Sequence, residues 1–310
     1  MPTHINQSDV TGTINMASPE AVTDAICAIL ARRYPDFDEA ALRQAFADIV
    51  AAFWGRYPRL LACDTPYHDL RHSLGTALLM ARLVDGYEIA HAGGGLGSEE
   101  GSLAVLLALY HDIGFLRRDN EATINGACLI RDHEQRSVDF TREYLAHSRF
   151  ARFAEQAQLI HATNFARPIA ETLHGLPREL FVIGQMLGTA DLVSQIAGRY
   201  YLERCRDFLY PEFVIAGADR SVNAAGETLV LYATAEDLLR KTPGFYQHLA
   251  KPRLDKDFEQ VWRYVEPHFG GDNPYARAMQ HNLDYLRQLI ERDDFSGLRR
   301  KPQAMMPAAG

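Results

Sequence analysis

Apolar residues recur at three- and four-residue spacing through most of the chain, and only one short stretch departs from that rhythm. Ser18-Pro19-Glu20 opens a helix, with Ser18 placed as N-cap and Pro19 at the first helical position; Val22, Ile26, Ile29 and Leu30 follow on one face. A second helix is expected over about 38–57, where Leu42, Phe46, Ile49, Val50 and Phe53 share a side and Pro58 follows the last turn. A third begins near Asp64-Thr65-Pro66 and carries Leu74, Leu78, Leu79 and Leu83. The continuous apolar run Leu103-Ala104-Val105-Leu106-Leu107-Ala108-Leu109 reads as a buried helix. Further helices are expected over about 128–145, 150–163 and 180–201. Helical patterning resumes over 235–292, with breaks at Pro243, Pro252 and Asn273-Pro274.

The exception is 213–232. Val214-Ile215, a Gly/Asn-rich middle and Thr228-Leu229-Val230-Leu231-Tyr232 suggest a small hairpin or lid. Gly93-Gly94-Gly95-Leu96-Gly97 is read as a flexible loop, because no strand precedes it and the spacing is wrong for a dinucleotide fingerprint. No repeat and no Pro-, Gly- or Ser-rich linker divides the chain. The expected fold class is therefore all-α, one helical domain over 18–298 with a small β-hairpin insertion. The ends, 1–17 and 299–310, are expected to be disordered.

Composition changes this picture little. The 310 residues are 47% hydrophobic and 23% charged, ordinary for a globular chain long enough to bury a large core. The net charge of −8 argues against general nucleic-acid binding. It leaves room for a small phosphorylated substrate, since a bound metal can supply local positive charge. Cys27, Cys63, Cys128 and Cys205 are scattered, without a C-x-x-C pair, as reduced thiols in a cytoplasmic protein would be. No apolar run approaches the roughly 18 residues that suggest a membrane span, and 1–17 lacks an apolar signal core.

The candidate chemistry begins where the apolar run ends, at Tyr110-His111-Asp112-Ile113-Gly114-Phe115. An imidazole and a carboxylate at the end of a buried helix each cost several kcal/mol to desolvate unless partnered, by a divalent metal or by one another. His68 and His72, within Tyr67-His68-Asp69-Leu70-Arg71-His72, are four apart and share a helix face. Asp191, in Leu187-Gly188-Thr189-Ala190-Asp191-Leu192, is a carboxylate in an otherwise apolar helix and needs a cation or donors. His133 and His161 lie on predicted helices between them. For these two, a surface histidine beside Glu134 and a buried histidine bonded to a carbonyl are the alternatives to metal ligation.

The order His72, His111-Asp112, His133, His161, Asp191 resembles the HD superfamily of metal-dependent phosphohydrolases, and most fully its cyclic-nucleotide phosphodiesterase branch. The matching segments are Pro66-Tyr67-His68-Asp69-Leu70-Arg71-His72-Ser73, His111-Asp112, Ala162-Thr163-Asn164 and Ala190-Asp191-Leu192. The resemblance covers roughly 60–215 and continues weakly to Tyr264-Val265-Glu266-Pro267-His268-Phe269. It implies a helical bundle of about a dozen helices with its metal site at the centre. It also implies two divalent ions, drawn from Mn, Fe, Mg, Zn or Co. His72, His111, Asp112 and Asp191 would hold the first. Asp112 would bridge to a second near His133 and His161, although the phosphodiesterase branch has a non-ligand residue at the His161 position. A metal-bridging hydroxide would attack a phosphodiester of a small, nucleotide-like substrate, with His68 as general acid. The segment 213–232 and the helices after it would shape the substrate pocket or a homodimer contact.

The chain departs from that branch where the purine would be held. Counted back from Pro267, the clamp positions are Asp257 and Gln260, which do not reproduce the family's glutamine and phenylalanine. The cyclic-di-nucleotide branch places a phosphate-touching lysine where this chain has Phe115, and its Gly-Tyr-Pro signature is missing. Arg117 and Arg118 could serve phosphate from the nearby loop, the alternative being that they are solvated loop charges. Two alternatives share the ligand set: an HD-type di-iron oxygenase and a non-catalytic nucleotide-binding HD module.

Overall fold

The computed structural model describes residues 7–92, 94–223 and 226–307. Among them are twelve α-helices: α1 (Pro19–Arg33), α2 (Glu39–Phe53), α3 (Leu70–Ala90), α4 (Ser98–Tyr110), α5 (His133–Ala146), α6 (Ile169–Thr172), α7 (Arg178–Ile196), α8 (Tyr201–Arg204), α9 (Tyr210–Ala216), α10 (Ala235–Phe245), α11 (Val265–His268) and α12 (Pro274–Glu291). Strands β1 (Arg220–Val222) and β2 (Thr228–Val230) form an antiparallel hairpin in which Ser221 pairs with Leu229. The fold is all-α with one small hairpin, as the hydrophobic pattern predicts.

Helix α3 is the axis of the bundle. It packs on α1, α4, α7 and α11, and its residues are buried on every turn from Leu70 to Tyr87. Helix α4, buried from Gly101 to Tyr110, fills the space between α3 and its neighbours. Contact on all sides explains why its sequence is apolar throughout rather than along one stripe. Burying a leucine such as Leu103 or Leu107 contributes about 1.5–3 kcal/mol, and several together offset the desolvation of the polar groups that end the helix. The approach of the 261–264 segment to α3 depends on Gly86, where an added Cβ would sit 1.6 Å from the Tyr264 carbonyl oxygen.

Several elements differ from expectation. The expected helix over 128–145 starts only at His133, preceded by a short 3-10 turn, Gly126–Leu129. The segment Ala151–Thr163 is helical with 3-10 hydrogen bonding. Val214 and Ile215 belong to α9 and not to a strand: Pro211 fits the first turn of this helix, and Gly217, at φ 65°, ends it in the left-handed region. Residues 7–17, expected to be disordered, make a turn closed by Asp9, whose carboxylate accepts from Thr13 and Ile14 N–H and pairs at 2.7 Å with Arg82 of α3. Of the tail expected to be disordered, residues 299–307 are described, and Met305 N–H donates to Asp69 Oδ2 at 2.6 Å. No single helix is long and apolar enough to cross a membrane among the described residues.

Candidate metal centre

The loop before α3 sets the first part of the site. Thr65 Oγ1 donates to the His68 carbonyl at 3.2 Å, and Asp69 caps α3 by accepting from His72 N–H at 3.1 Å. The helix expected from about Asp64 therefore begins only at Leu70, so His68 lies in the loop and His72 in the first turn, rather than on one helix face. His111 ends α4, and its Nδ1–H donates to the Ala108 carbonyl at 2.8 Å. That bond leaves the Nε2 lone pair facing the centre of the bundle, the usual way a carbonyl orients a ligating histidine. His133, at the start of α5, is fixed in the same way by a 2.7 Å bond from Nδ1–H to the Ile130 carbonyl.

Gly114 permits this juxtaposition. An added Cβ there would lie 2.0 Å from the His133 carbonyl oxygen, while Gly114 N–H donates to Ser137 Oγ at 2.9 Å. The glycine after His111-Asp112-Ile113 therefore lets the start of α5 close directly onto the end of α4. Phe115 then stacks on His68 (ring centroids 4.1 Å apart, 14° between planes) and on His133 (4.3 Å, 22°).

Four atoms from three helices and one turn meet at the centre. His72 Nε2 lies 3.1 Å from His111 Nε2, 3.2 Å from Asp112 Oδ2 and 3.2 Å from Asp191 Oδ1. His111 Nε2 lies 3.3 Å from Asp112 Oδ2 and 3.5 Å from Asp191 Oδ1. Ligands held about 2.1 Å from one ion stand about 3.0 Å apart at right angles and about 3.4 Å apart at a tetrahedral angle. The observed separations span that range. Asp112 Oδ2 is buried and lacks a well-aligned hydrogen bond to any described residue despite those short distances. His72, His111 and Asp191 place one ligand atom each close enough to share a divalent cation, and Asp112 Oδ2 stands beside both imidazoles. Asp112 Oδ1 turns the other way, 3.7 Å from His133 Nε2, as a carboxylate shared between two ions would.

The carboxylates dominate the electrostatics of the cluster. Burial opposes charge on His72 and His111, but the Asp112 and Asp191 carboxylates outweigh it and raise both pKa values. Burial likewise opposes ionisation of Asp112 and Asp191, but the two imidazoles outweigh it and hold both well below the usual carboxylate range. His133 is pushed down to about 4 by burial, so its ring is neutral at pH 7 and its Nε2 is available as a ligand. Burial raises the neighbouring Glu134 to about 7.

The other expected site residues fall into two groups. His161 is buried on the Ala151–Thr163 helix, with Nδ1 unpartnered among the described residues. It is not among the groups that meet at His72, His111 and Asp191. Its neighbours Thr163 and Asn164 line the cavity described below. Asp257 and Gln260 do not reach that cavity. Both are exposed, because buried Phe258 turns inward between them and Gln260 adopts φ 60°. Arg117 is held away by Asp64 (3.2 Å) and by the Ile124 carbonyl (3.0 Å).

Two residues of the site were not found from the sequence. Glu212 of α9 is buried; Oε2 lies 2.6 Å from His68 Nδ1 and Oε1 accepts from Tyr67 N–H at 2.6 Å. Gln195 Nε2 donates to Asp191 Oδ1 at 2.6 Å, and Gln195 Oε1 accepts from Tyr67 O–H at 2.8 Å. Gln195 sits one helical turn after Asp191, a spacing that was open to reading; nothing local marks Glu212.

A cavity of about 430 Å³ opens over the cluster. His68, His72, Asp112, His133 and Asp191 form its floor, and Phe165, Phe213, Tyr232 and Phe245 line its walls.

With this geometry established, comparison with known proteins places the chain. Residues 69–183 match the model of the HD domain, a stretch that includes His72, His111, Asp112, His133 and His161 and stops short of Asp191. The chain carries an HD domain. The fold of the whole is similar to the crystal structure of the phosphodiesterase domain of Salpingoeca rosetta rhodopsin phosphodiesterase. The identity is 15% and the TM-score 0.56, over 93% of this chain and 92% of that one. At that identity the likeness is one of fold. No curated protein matches. The matched stretch thus supplies most of the cluster, the remainder of α7 supplies Asp191 and Gln195, and α9 supplies Glu212.

Proposed function

We propose that this HD protein is a metal-dependent phosphohydrolase that cleaves a phosphodiester of a small nucleotide-like substrate. The observation that carries the reading is the pairing of two functions in one cavity. A cation-fitting cluster of His72, His111, Asp112 and Asp191 lies beside a histidine, His68, backed by the buried carboxylate of Glu212.

Divalent ions held by His72, His111, Asp112, Asp191 and, on the far side of Asp112, His133 would supply Lewis acidity to phosphoryl oxygens and ionised water at neutral pH. The chain's own groups do the rest. Glu212 accepts from His68 Nδ1–H, which fixes the orientation of the ring. Nε2 is left as the nitrogen that hands a proton to the leaving oxygen. Phe115 holds the ring plane by stacking. Gln195 steers Asp191 Oδ1. The aromatic walls suit a planar base, whereas Asp257 and Gln260 have no access to it.

The His68–Glu212 pair favours hydrolysis over the oxygenase alternative, because dioxygen chemistry has no leaving alkoxide to protonate. The test is turnover of cyclic AMP, cyclic GMP, a cyclic dinucleotide and a chromogenic diester with manganese or magnesium, beside Asp112→Ala. Turnover that disappears in the variant supports the reading. A metal-loaded protein that cleaves none of the four, but consumes oxygen with iron bound, overturns it.

A further inference from the structure

Next to the metal centre, sharing Tyr67 and His72 with the main cavity, lies a second, partly open space of about 110 Å³. Tyr67, His72, Gln195 and Tyr201 contribute to the walls of both. A space of this size admits several water-sized groups, enough for a tetrahedral oxyanion.

Its charge balance is uneven. Arg71, Arg199 and Arg204 line it, against one carboxylate, Asp9, and that carboxylate is already bound by Arg82 at 2.7 Å. Arg204 shares Asp69 at 3.1 Å, but Asp69 also accepts from His72 N–H and from Met305 N–H. Arg204 Nη1 is buried with no hydrogen-bond partner among the described residues. The hydrogen bond shown by the Arg71 side chain is a long one, 3.4 Å, to the Gln7 carbonyl. Buried guanidinium groups are ordinarily paired, and a planar fork of donors suits the oxygens of a phosphate. Gly75 forms the facing wall, and a Cβ there would meet nothing nearer than Met16 Cε at 3.9 Å.

We propose that this space is a binding site for a small oxyanion of the phosphate type, held by Arg71 and Arg204 and separate from the metal centre. Its ligand touches the framework that positions the cluster: Arg204 donates to the Tyr67 carbonyl at 2.6 Å, and Tyr67 holds Gln195. Occupation of the site therefore stiffens the support of Asp191 and His68 without entering the main cavity. This does not depend on which reaction the metal centre performs.

The experiment is calorimetric titration of the full-length protein with inorganic phosphate, in wild type, Arg71→Met, Gly75→Leu and Asp191→Ala. Arg71→Met removes one guanidinium, Gly75→Leu fills the space from the other wall, and Asp191→Ala disables the metal centre. Unfolding midpoints confirm that each variant is folded, and either of the first two suffices if the other is not. The expected result is saturable binding in wild type and Asp191→Ala, weakened at least tenfold in Arg71→Met and Gly75→Leu. No saturable binding in wild type overturns the proposal. So does binding lost in Asp191→Ala yet kept in the other two, which would place the phosphate on the metal.

Discussion

Glu212 Oε2 lies 2.6 Å from His68 Nδ1, although 144 residues separate them in the chain. The same carboxylate accepts Tyr67 N–H, so one buried side chain of α9 fixes both the loop that carries His68 and the tautomer of its ring.

That contact predicts how Glu212→Gln behaves. The amide keeps the size and can still accept a hydrogen bond, but it removes the negative charge that faces the ring. In the hydrolysis assay kcat is expected to fall by about 10–100-fold, with KM and bound metal unchanged. A variant with wild-type kcat would show that the Glu212 charge does not support proton transfer by His68.

The cluster predicts a metal dependence that can be read without any substrate. His72→Ala, His111→Ala and Asp191→Ala should each reduce the metal content measured by mass spectrometry. Chelation should lower the unfolding midpoint of the wild type, since an ion at a hundred times its Kd contributes about 2.7 kcal/mol. The alanine variants should show a smaller response to the chelator. An unchanged metal content in all three would locate the ion elsewhere.

Gly114→Ala tests the close approach of α4 and α5. The new Cβ would meet the His133 carbonyl oxygen at 2.0 Å, so the helix start must move. Overpacking of this kind costs about 1–3 kcal/mol. The displaced ring of His133 should also lower loading of a second ion more than the first, as a two-step metal titration would reveal. A fully stable variant with normal loading would sink this account.

The N-terminal turn carries a pH prediction. Burial works against the charge on Asp9, but Arg82 and the hydrogen bonds to the carboxylate outweigh it and hold its pKa below 3.8. A depressed folded-state value means the stabilisation is complete above the ordinary Asp range and is lost as pH falls through the lower, folded value. Asp9→Asn leaves the buried Arg82 charge unpaired and should cost about 3–5 kcal/mol near neutral pH. Its urea-unfolding midpoint should also fall less steeply than the wild type's between pH 4 and about pH 2. Parallel curves would show that the pair does not contribute.

Much of the fold was legible because helical periodicity is a local signal. The unbroken apolar run of α4 marks a helix surrounded by others, and a histidine with an aspartate at its end marks a group that needs a partner. The structure brings His72, His111 and Asp191 together at distances one ion could bridge, with Asp112 Oδ2 within 3.3 Å of both imidazoles. Less was legible where a residue's surroundings lie far off in the chain. Val214-Ile215 has a β-branched pair typical of a strand, yet Pro211 and tertiary contacts make it helix. Asp257 and Gln260 sit where an alignment would put a base clamp, but the turn around Phe258 points them to solvent. Residues 7–17 look featureless because their anchor, Arg82, is in α3.

The sequence by itself determined the helices, the all-α class, and the type and order of the cation-seeking side chains, since these depend on neighbours within a few residues. Tertiary structure alone decided that Glu212 backs His68, that Phe115 stacks between two functional rings, and that arginines from α3 and α8 share a space next to the site. The physical reason is that charge pairing, stacking and cavity shape are set by which helix faces meet. Those meetings join residues that carry no mark of each other along the chain.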